Sequence, residues 1–284
     1  MLGNAVVNRL AREDLRVAAT ARKPHYTSPK NVRFLPFTVG VDSISGVVAD
    51  LGVDDYVVNC AGLIKQRMDE SSAADRVAAI EVNALFPYSL AAVADSQGFR
   101  VVQIATDCVF AGAIGAYDEH SSHDALDVYG KTKSLGEVSN ARVLYLRCSI
   151  IGRELASAAS LLEWLLNQPA GASVKGYVDH HWNGVTTSVF ADIVAGIILR
   201  RADLHGIAHL VPADVVSKNR LLHLIAEAFD RRDITIVEEE TGSSIDRSLA
   251  TVYPETNQHL WHLGGFDSPP TIQEMIERLA AESG

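Results

Sequence analysis

Apolar residues at Ala5, Val6, Leu10 and Leu15, set among Asn4, Arg9, Arg12 and Glu13, keep the spacing of one helix face. The rhythm then changes. "LRVAATAR" is a β-branched and alanine-rich run that predicts a strand near 16–21. From there strands near 32–37, 55–60, 100–105 and 141–148 alternate with helices near 43–51, 73–95 and 127–139. Short β-rich runs separated by helical patterns predict βαβ units, and so a doubly wound α/β layout with helices on both faces of a parallel sheet. After Gly152 the rhythm is less regular: helices near 156–167, 187–201, 217–229 and 271–281, a glycine-rich turn "NQPAGASVKGYV" and a short strand "GIAHLV". This predicts a first domain over 1–152 and a smaller α+β lobe over 153–284 that returns some elements to the first.

Composition narrows the possible partners. With 284 residues, 48% of them hydrophobic, the chain can bury a large core. A net charge of −10 and a pI near 5.4 argue against a broad nucleic-acid or anionic-membrane surface, so any anionic ligand must be held locally. Cys60, Cys108 and Cys148 sit beside apolar runs without CxxC spacing, which points away from disulfides and zinc and towards a reducing cytoplasm. No basic segment followed by an apolar one opens the chain, and the run "VFADIVAGIIL" is broken by Asp192, which argues against export and membrane insertion. His180 and His181 alternate faces on a strand, and His120 and His123 lack neighbouring ligands, so no metal is predicted.

Two stretches fit Y-x-x-x-K: "YTSPK" at 26–30 and "YGKTK" at 129–133. Pro29 disfavours a helix through the first, whereas Tyr129 and Lys133 lie at i and i+4 of a helical pattern and face the same way. An ammonium beside a phenol favours phenolate and lowers its pKa, which suits proton transfer to a ketone; the alternative is an amphipathic surface tyrosine and a solvated lysine. At the end of the strand "VVQIA", "TDCVF" puts Thr106 and Asp107 at the rim where open α/β sheets bind ligands, with a turn or helix cap as the other reading of Thr106. Asn59 in "NCAG" ends the preceding strand at an equivalent rim, or simply forms a turn.

"VVNCAG", Asn83 in "VNALFP", "IATDCVFAG", "YGKTKSLGE" and "LRCSIIG" follow the order and spacing of the extended short-chain dehydrogenase/reductase superfamily. More narrowly the chain resembles dTDP-4-dehydrorhamnose reductases and their relatives in nucleotide-sugar and cell-surface polysaccharide synthesis. The resemblance implies a Rossmann-like dinucleotide-binding domain and a catalytic trio of Thr106, Tyr129 and Lys133. In that trio Tyr129 protonates the sugar oxygen, Lys133 holds the nicotinamide ribose, and Thr106 hydrogen-bonds the substrate oxygen. It implies cofactor contacts on Gly3, Asn59, Ala61, Gly62, Tyr129 and Lys133. Arg22 and Lys23, following a strand whose end carries no acid, favour NADPH over NADH through a 2′-phosphate, or are plain exposed cations. Met1-Leu2-Gly3 looks like the last part of a G-x-x-G-x-x-G turn. The resemblance therefore implies that a first strand and two glycines are missing, with a gap between the strands near 17 and 57 and weakened cofactor binding.

Cys108 stands where related sugar dehydratases carry Glu, and a neutral thiol cannot replace that carboxylate, which favours reduction over dehydration. An epimerase, or a non-catalytic NADP-binding regulatory subunit like the β-subunit of methionine adenosyltransferase, are the alternatives. In the second lobe "VDHHWNGVTT" and "DRSLAT" resemble segments lining a sugar-nucleotide cleft. There Trp182 could stack on a base or sugar and Arg247 could pair with a diphosphate, against the readings of a packed aromatic and a surface ion pair. The resemblance admits magnesium and a homodimer, and no residue commits to either. Glu119 and Glu137 are expected to be structural or cleft-rim groups.

Overall fold

The computed structural model describes residues 1–22, 29–154 and 160–283. Lys23, Tyr26 and the start of the helix expected near 156 lie outside the described residues. The first half runs α1 (Leu2–Leu10), β1 (Val17–Ala21), β2 (Val32–Pro36), α2 (Ile44–Val47), β3 (Tyr56–Asn59), α3 (Ala73–Ile80), a π-turn (Glu81–Leu85), α4 (Phe86–Gln97), β4 (Arg100–Ala105), α5 (Val128–Leu135) and β5 (Val143–Arg147). The second half follows with β6 (Ile150–Ile151), α6 (Leu161–Leu166), β7 (Ser173–Tyr177), β8 (His180–Trp182), β9 (Val185–Thr186), α7 (Thr187–Leu199) and β10 (Gly206–His209). It closes with β11 (Val216–Ser217), α8 (Lys218–Ala228), β12 (Thr235–Glu239), β13 (Ile245–Asp246), α9 (Pro254–Leu263) and α10 (Ile272–Ala281).

The central sheet has the order β10-β5-β4-β3 and is parallel throughout. Its pattern explains why both faces are covered. In β5, Leu144 and Leu146 point into a core with Phe190, Ile193, Leu221 and Trp261, while Val143 and Tyr145 point into a second core with Leu90, Ala94 and Phe99. β10 comes from beyond Gly152 and pairs with β5, Ile207 opposite Tyr145. β1 and β2 form a separate parallel pair, Val17 opposite Val32, and among the described residues no ladder joins β1 to β3. The second half builds small sheets, β11-β8-β13, β12-β7 and β6-β9.

The segment Ala73–Gln97 is long and apolar enough, by length and composition, to cross a membrane (mean hydropathy 1.5). In the fold the π-turn interrupts it, and Leu90, Ala91 and Ala94 cover the sheet face beside Val101 and Ala105. α2 is shorter than the periodicity near 43–51 predicts, and α9 was not expected. The apolar positions of "PETNQHLWHL" cluster at its end, and its buried Asn257 works as a polar clamp, accepting from Val211 N (3.0 Å) and donating to Val211 O (3.0 Å).

Candidate active site

The site forms where β4 ends and α5 begins. Thr106, the residue after β4, has extended backbone and caps a short 3₁₀ turn, its Oγ1 accepting from Cys108 N (3.2 Å) and donating to Asp107 Oδ1 (3.2 Å). Both Thr106 and Asp107 are buried at this rim. α5 starts at Asp127, whose Oδ1 accepts from Gly130 N (2.8 Å) and whose Oδ2 pairs with Lys65 Nζ (2.7 Å), tying the segment after β3 to the helix start. Close packing presses α5 into place: a Cβ on Gly136 would lie 2.0 Å from Asn83 O in the π-turn. Asn83 itself clamps both neighbours. It accepts from Leu63 N (2.8 Å) and donates to Leu63 O (2.9 Å) and to Thr132 Oγ1 (3.2 Å).

Tyr129 and Lys133 lie on this helix but engage different groups. Burial raises the Tyr129 phenol above its ordinary range; Cys108, Asp107 and Asp127 add to this, and a hydrogen bond with Thr106 opposes it. Lys133 Nζ donates to Ile104 O (3.0 Å) on β4, and burial lowers its pKa to about 8 against the opposing pull of Glu137 and Cys60. The expected lowering of Tyr129 by Lys133 is therefore corrected. Lys133 looks at the β4 backbone and Tyr129 at the Thr106 turn, so desolvation of the phenol dominates.

Asn59 is buried with its side chain already spent. Nδ2 donates to Gln103 Oε1 (2.7 Å) and Oδ1 accepts from Ala61 N (3.0 Å), the turn-forming role that was the alternative reading. Ala61 follows half-buried, and Gly62 is exposed beside Asn83. Gly3 lies in α1, where an added Cβ would reach Cys60 Cβ at an ordinary 3.6 Å. Arg22 is exposed just beyond β1. Trp182 requires a correction: at 4% exposure it is a packed core residue, its Nε1 donating to Ser149 Oγ (2.8 Å), so its indole is not an open stacking surface. Arg247 does reach the site. Its Nε donates to Phe110 O (2.8 Å), and its charge acts on Asp127 and Cys108.

Beneath the site lies a group that sequence reasoning missed. Arg147, fully buried at the end of β5, pairs with Glu137 Oε2 (2.5 Å) and donates to His123 Nε2 (2.9 Å) and to His209 Nε2 (2.8 Å). Its guanidinium carbon lies 5.3 Å from the centre of the Phe110 ring. His209 Nδ1–H donates to Ala250 O (2.8 Å), while Glu119 accepts from Thr251 Oγ1 (2.7 Å) and Val252 N (3.0 Å). Glu119 thus holds the 251–252 segment, and Glu137 pairs with the buried Arg147 at the end of β5. Lys65 and Lys218 were also missed, since a single lysine after a strand or turn carries no pattern.

Residues 1–259 match the family described as RmlD substrate binding domain. No curated protein matches the chain in sequence. Among solved structures, dTDP-4-dehydrorhamnose reductase from Bacillus anthracis str. Ames, in complex with NADP, is similar at 19% identity, with a TM-score of 0.71 over 95% of this chain and 99% of that one. The dTDP-4-dehydrorhamnose reductase from Yersinia enterocolitica is similar at 16% identity, TM-score 0.74, covering 99% and 95%. MoeE5 in complex with UDP-glucuronic acid and NAD is similar at 18% identity, TM-score 0.76, covering 100% and 96%.

Proposed function

This chain belongs to the RmlD substrate-binding-domain family, and from that premise we propose that it reduces the 4-keto group of a deoxysugar nucleotide with NADPH, in the synthesis of a cell-surface polysaccharide. It is an NAD(P)-dependent oxidoreductase. One observation carries this reading: a single helix meets the end of β4 with two side chains, Lys133 through its hydrogen bond to Ile104 O (3.0 Å) and Tyr129 facing the Thr106 turn. A proton donor, a hydrogen-bonding hydroxyl and a cation thereby surround one strand end.

The residues fit a nicotinamide cofactor. Lys133 Nζ has one acceptor, Ile104 O, and an ammonium carries three donors, which leaves donors for ribose hydroxyls. Exposed Arg22 is suited to a 2′-phosphate. Bound NADPH supplies the hydride. Tyr129, kept protonated by burial, gives its proton to the carbonyl oxygen and becomes phenolate as the C–O group becomes a hydroxyl. Thr106 hydrogen-bonds the same oxygen. Cys108, half-buried and held neutral with its pKa pushed up to about 12, offers no carboxylate for dehydration.

The test is nicotinamide absorbance on mixing the chain with NADPH and 4-keto deoxysugar nucleotides. Substrate-dependent oxidation of NADPH is expected, and Tyr129→Phe is expected to slow it by about 10²–10⁴-fold. Interconversion of sugars without net NADPH consumption marks an epimerase instead, and no consumption with any 4-keto sugar rejects the reductase reading.

A further inference from the structure

Glu137 lies one turn beyond Lys133; the lysine is buried and the Glu137 side chain is only 6% exposed. A tight last turn carries the chain there, Gly136 N donating to Thr132 O (3.1 Å) and Glu137 N to Ser134 O (3.2 Å). Tyr145 on β5 pins the exit, its phenol accepting from Val138 N (2.8 Å) and donating to Gly136 O (3.3 Å). Residues four apart on such a turn share one face. Here that face is one wall of a narrow cleft against Gln103, Ile104 and Ala105 of β4, with no room for a water molecule.

The two oxygens of Glu137 are held differently. Oε2 pairs with Arg147 (2.5 Å), and His123 Nε2 stands 3.7 Å from it. The other contacts of the Arg147 guanidinium are ring nitrogens of His123 and His209, so among the described residues Glu137 is its one anionic partner. Oε1 is buried and has no hydrogen-bond partner among the described residues. A carboxylate oxygen kept from water without a donor is costly, and a cation nearby offsets that cost. Lys133, on the same cleft wall, is such a cation. Its Nζ donates to Ile104 O (3.0 Å) and forms no salt bridge among the described residues, so the two charges act through space, with no water between the cleft walls to screen them. Burial lowers Lys133 to about 8, and Glu137 is the first group that pulls it back, followed by Cys60 from the segment after β3. The Cys60 thiol, pushed up to about 12 by burial, is neutral, which leaves Glu137 as the charged neighbour of Lys133.

We propose that Glu137, anchored by Arg147, is the counter-charge that keeps Lys133 an ammonium, and so a positioning residue of the active site. The proposal rests on the reductase reading above, in which Lys133 needs its full set of donors to serve Ile104 O and a nicotinamide ribose together. A neutral amine has lost one of them. Glu137 acts through Lys133 and not on the reacting atoms.

The experiment is an NMR pH titration of the full chain isotope-labelled at lysine Cε, which reads the charge of each amine without substrate or cofactor; Lys133→Arg identifies the Lys133 signal. It is repeated on Glu137→Gln, Glu137→Asp, Glu119→Gln and the double variant Glu137→Gln with Arg147→Met, with the melting temperature of each recorded. Glu137→Gln leaves a buried guanidinium unpaired and is expected to melt lower, whereas the double variant removes both charges and isolates the effect on Lys133. The Lys133 midpoint, near 8 in the unsubstituted chain, is expected to fall by about one pH unit or more in Glu137→Gln and in the double variant, and to hold in Glu137→Asp, which keeps the charge. Glu119→Gln, which loosens the 251–252 segment, should leave it in place. The alkaline limb of kcat for NADPH oxidation is expected to move to lower pH by the same amount, because the carboxylate that favours the charged amine is gone. An unchanged midpoint in the Gln variants overturns the proposal, and so does an equal fall in Glu119→Gln, which marks general loosening. If the midpoint falls as expected but the unsubstituted chain consumes no NADPH with any 4-keto sugar nucleotide, the hold of Glu137 on Lys133 is supported and the reductase reading fails.

Discussion

Tyr129 and Lys133 are a helical turn apart, yet burial acts on them in opposite senses. It raises the phenol and lowers the ammonium, to about 8, because burial penalises the charged form of each, which is the deprotonated phenol but the protonated amine. Their spacing was readable in "YGKTK"; their partners were not, because Ile104 O and the Thr106 turn come from another strand. His209 carries the residue-scale prediction. Its Nε2 accepts from Arg147 and its Nδ1–H donates to Ala250 O, so the ring must be neutral, and burial and Arg147 lower its pKa from 6.5 to about 4. The unfolded chain takes up this proton near pH 6.5 and the folded chain only near 4, so the His209 contribution is full above pH 6.5 and is lost as pH falls through that window, by ~3 kcal/mol in all. Urea denaturation across this range is expected to show a shallower acid-side loss for His209→Gln. An unchanged slope would mean that other groups set it.

At the scale of elements, α5 and the π-turn set the site. α5 is legible in sequence through the helical pattern around "YGKTK", though its cap Asp127 was not singled out there; the π-turn is not legible, since its extra residue only becomes necessary where Asn83 must meet both Leu63 and Thr132. Asp127 does two things at once, capping α5 through Gly130 N and holding Lys65. Asp127→Ala is expected to cost about 1 kcal/mol by the loss of the cap, with a further small loss from the half-exposed ion pair. Asp127→Asn, which keeps a capping oxygen and loses the charge, should recover most of the stability. Chemical denaturation of both variants measures this, and equal losses in the two would place the whole effect in the ion pair with Lys65. Activity should follow the cap, because the first turn of α5 carries Tyr129.

For the whole molecule, stability is unevenly distributed. β5 is buried along its full length between β4 and β10, whereas the β1–β2 pair has only Ala19 and Val32 buried and, among the described residues, no ladder to the central sheet. A two-stranded pair is marginal by itself, so hydrogen exchange is expected to be markedly faster at the amides of β1 and β2 than at those of β4 and β5. Equal protection would show that α1, which packs Val6 and Leu10 into the main core, holds that pair as firmly as a ladder would. α1 is further tied to α7 and α10, since Asp192 accepts from Arg9 Nε (2.6 Å) and also from Arg278. The order of strands and helices through β5, and the rim on which Thr106 and Tyr129 stand, were determined by the sequence alone, because hydrophobic period and helix caps act over a few residues. Only the tertiary structure decided that Trp182 is buried, that Asn59 is spent on Gln103, and that Arg147 gathers Glu137, His123 and His209. Such charges and amides meet across segments far apart in the chain, and their partners exist only once the sheet has brought those segments together.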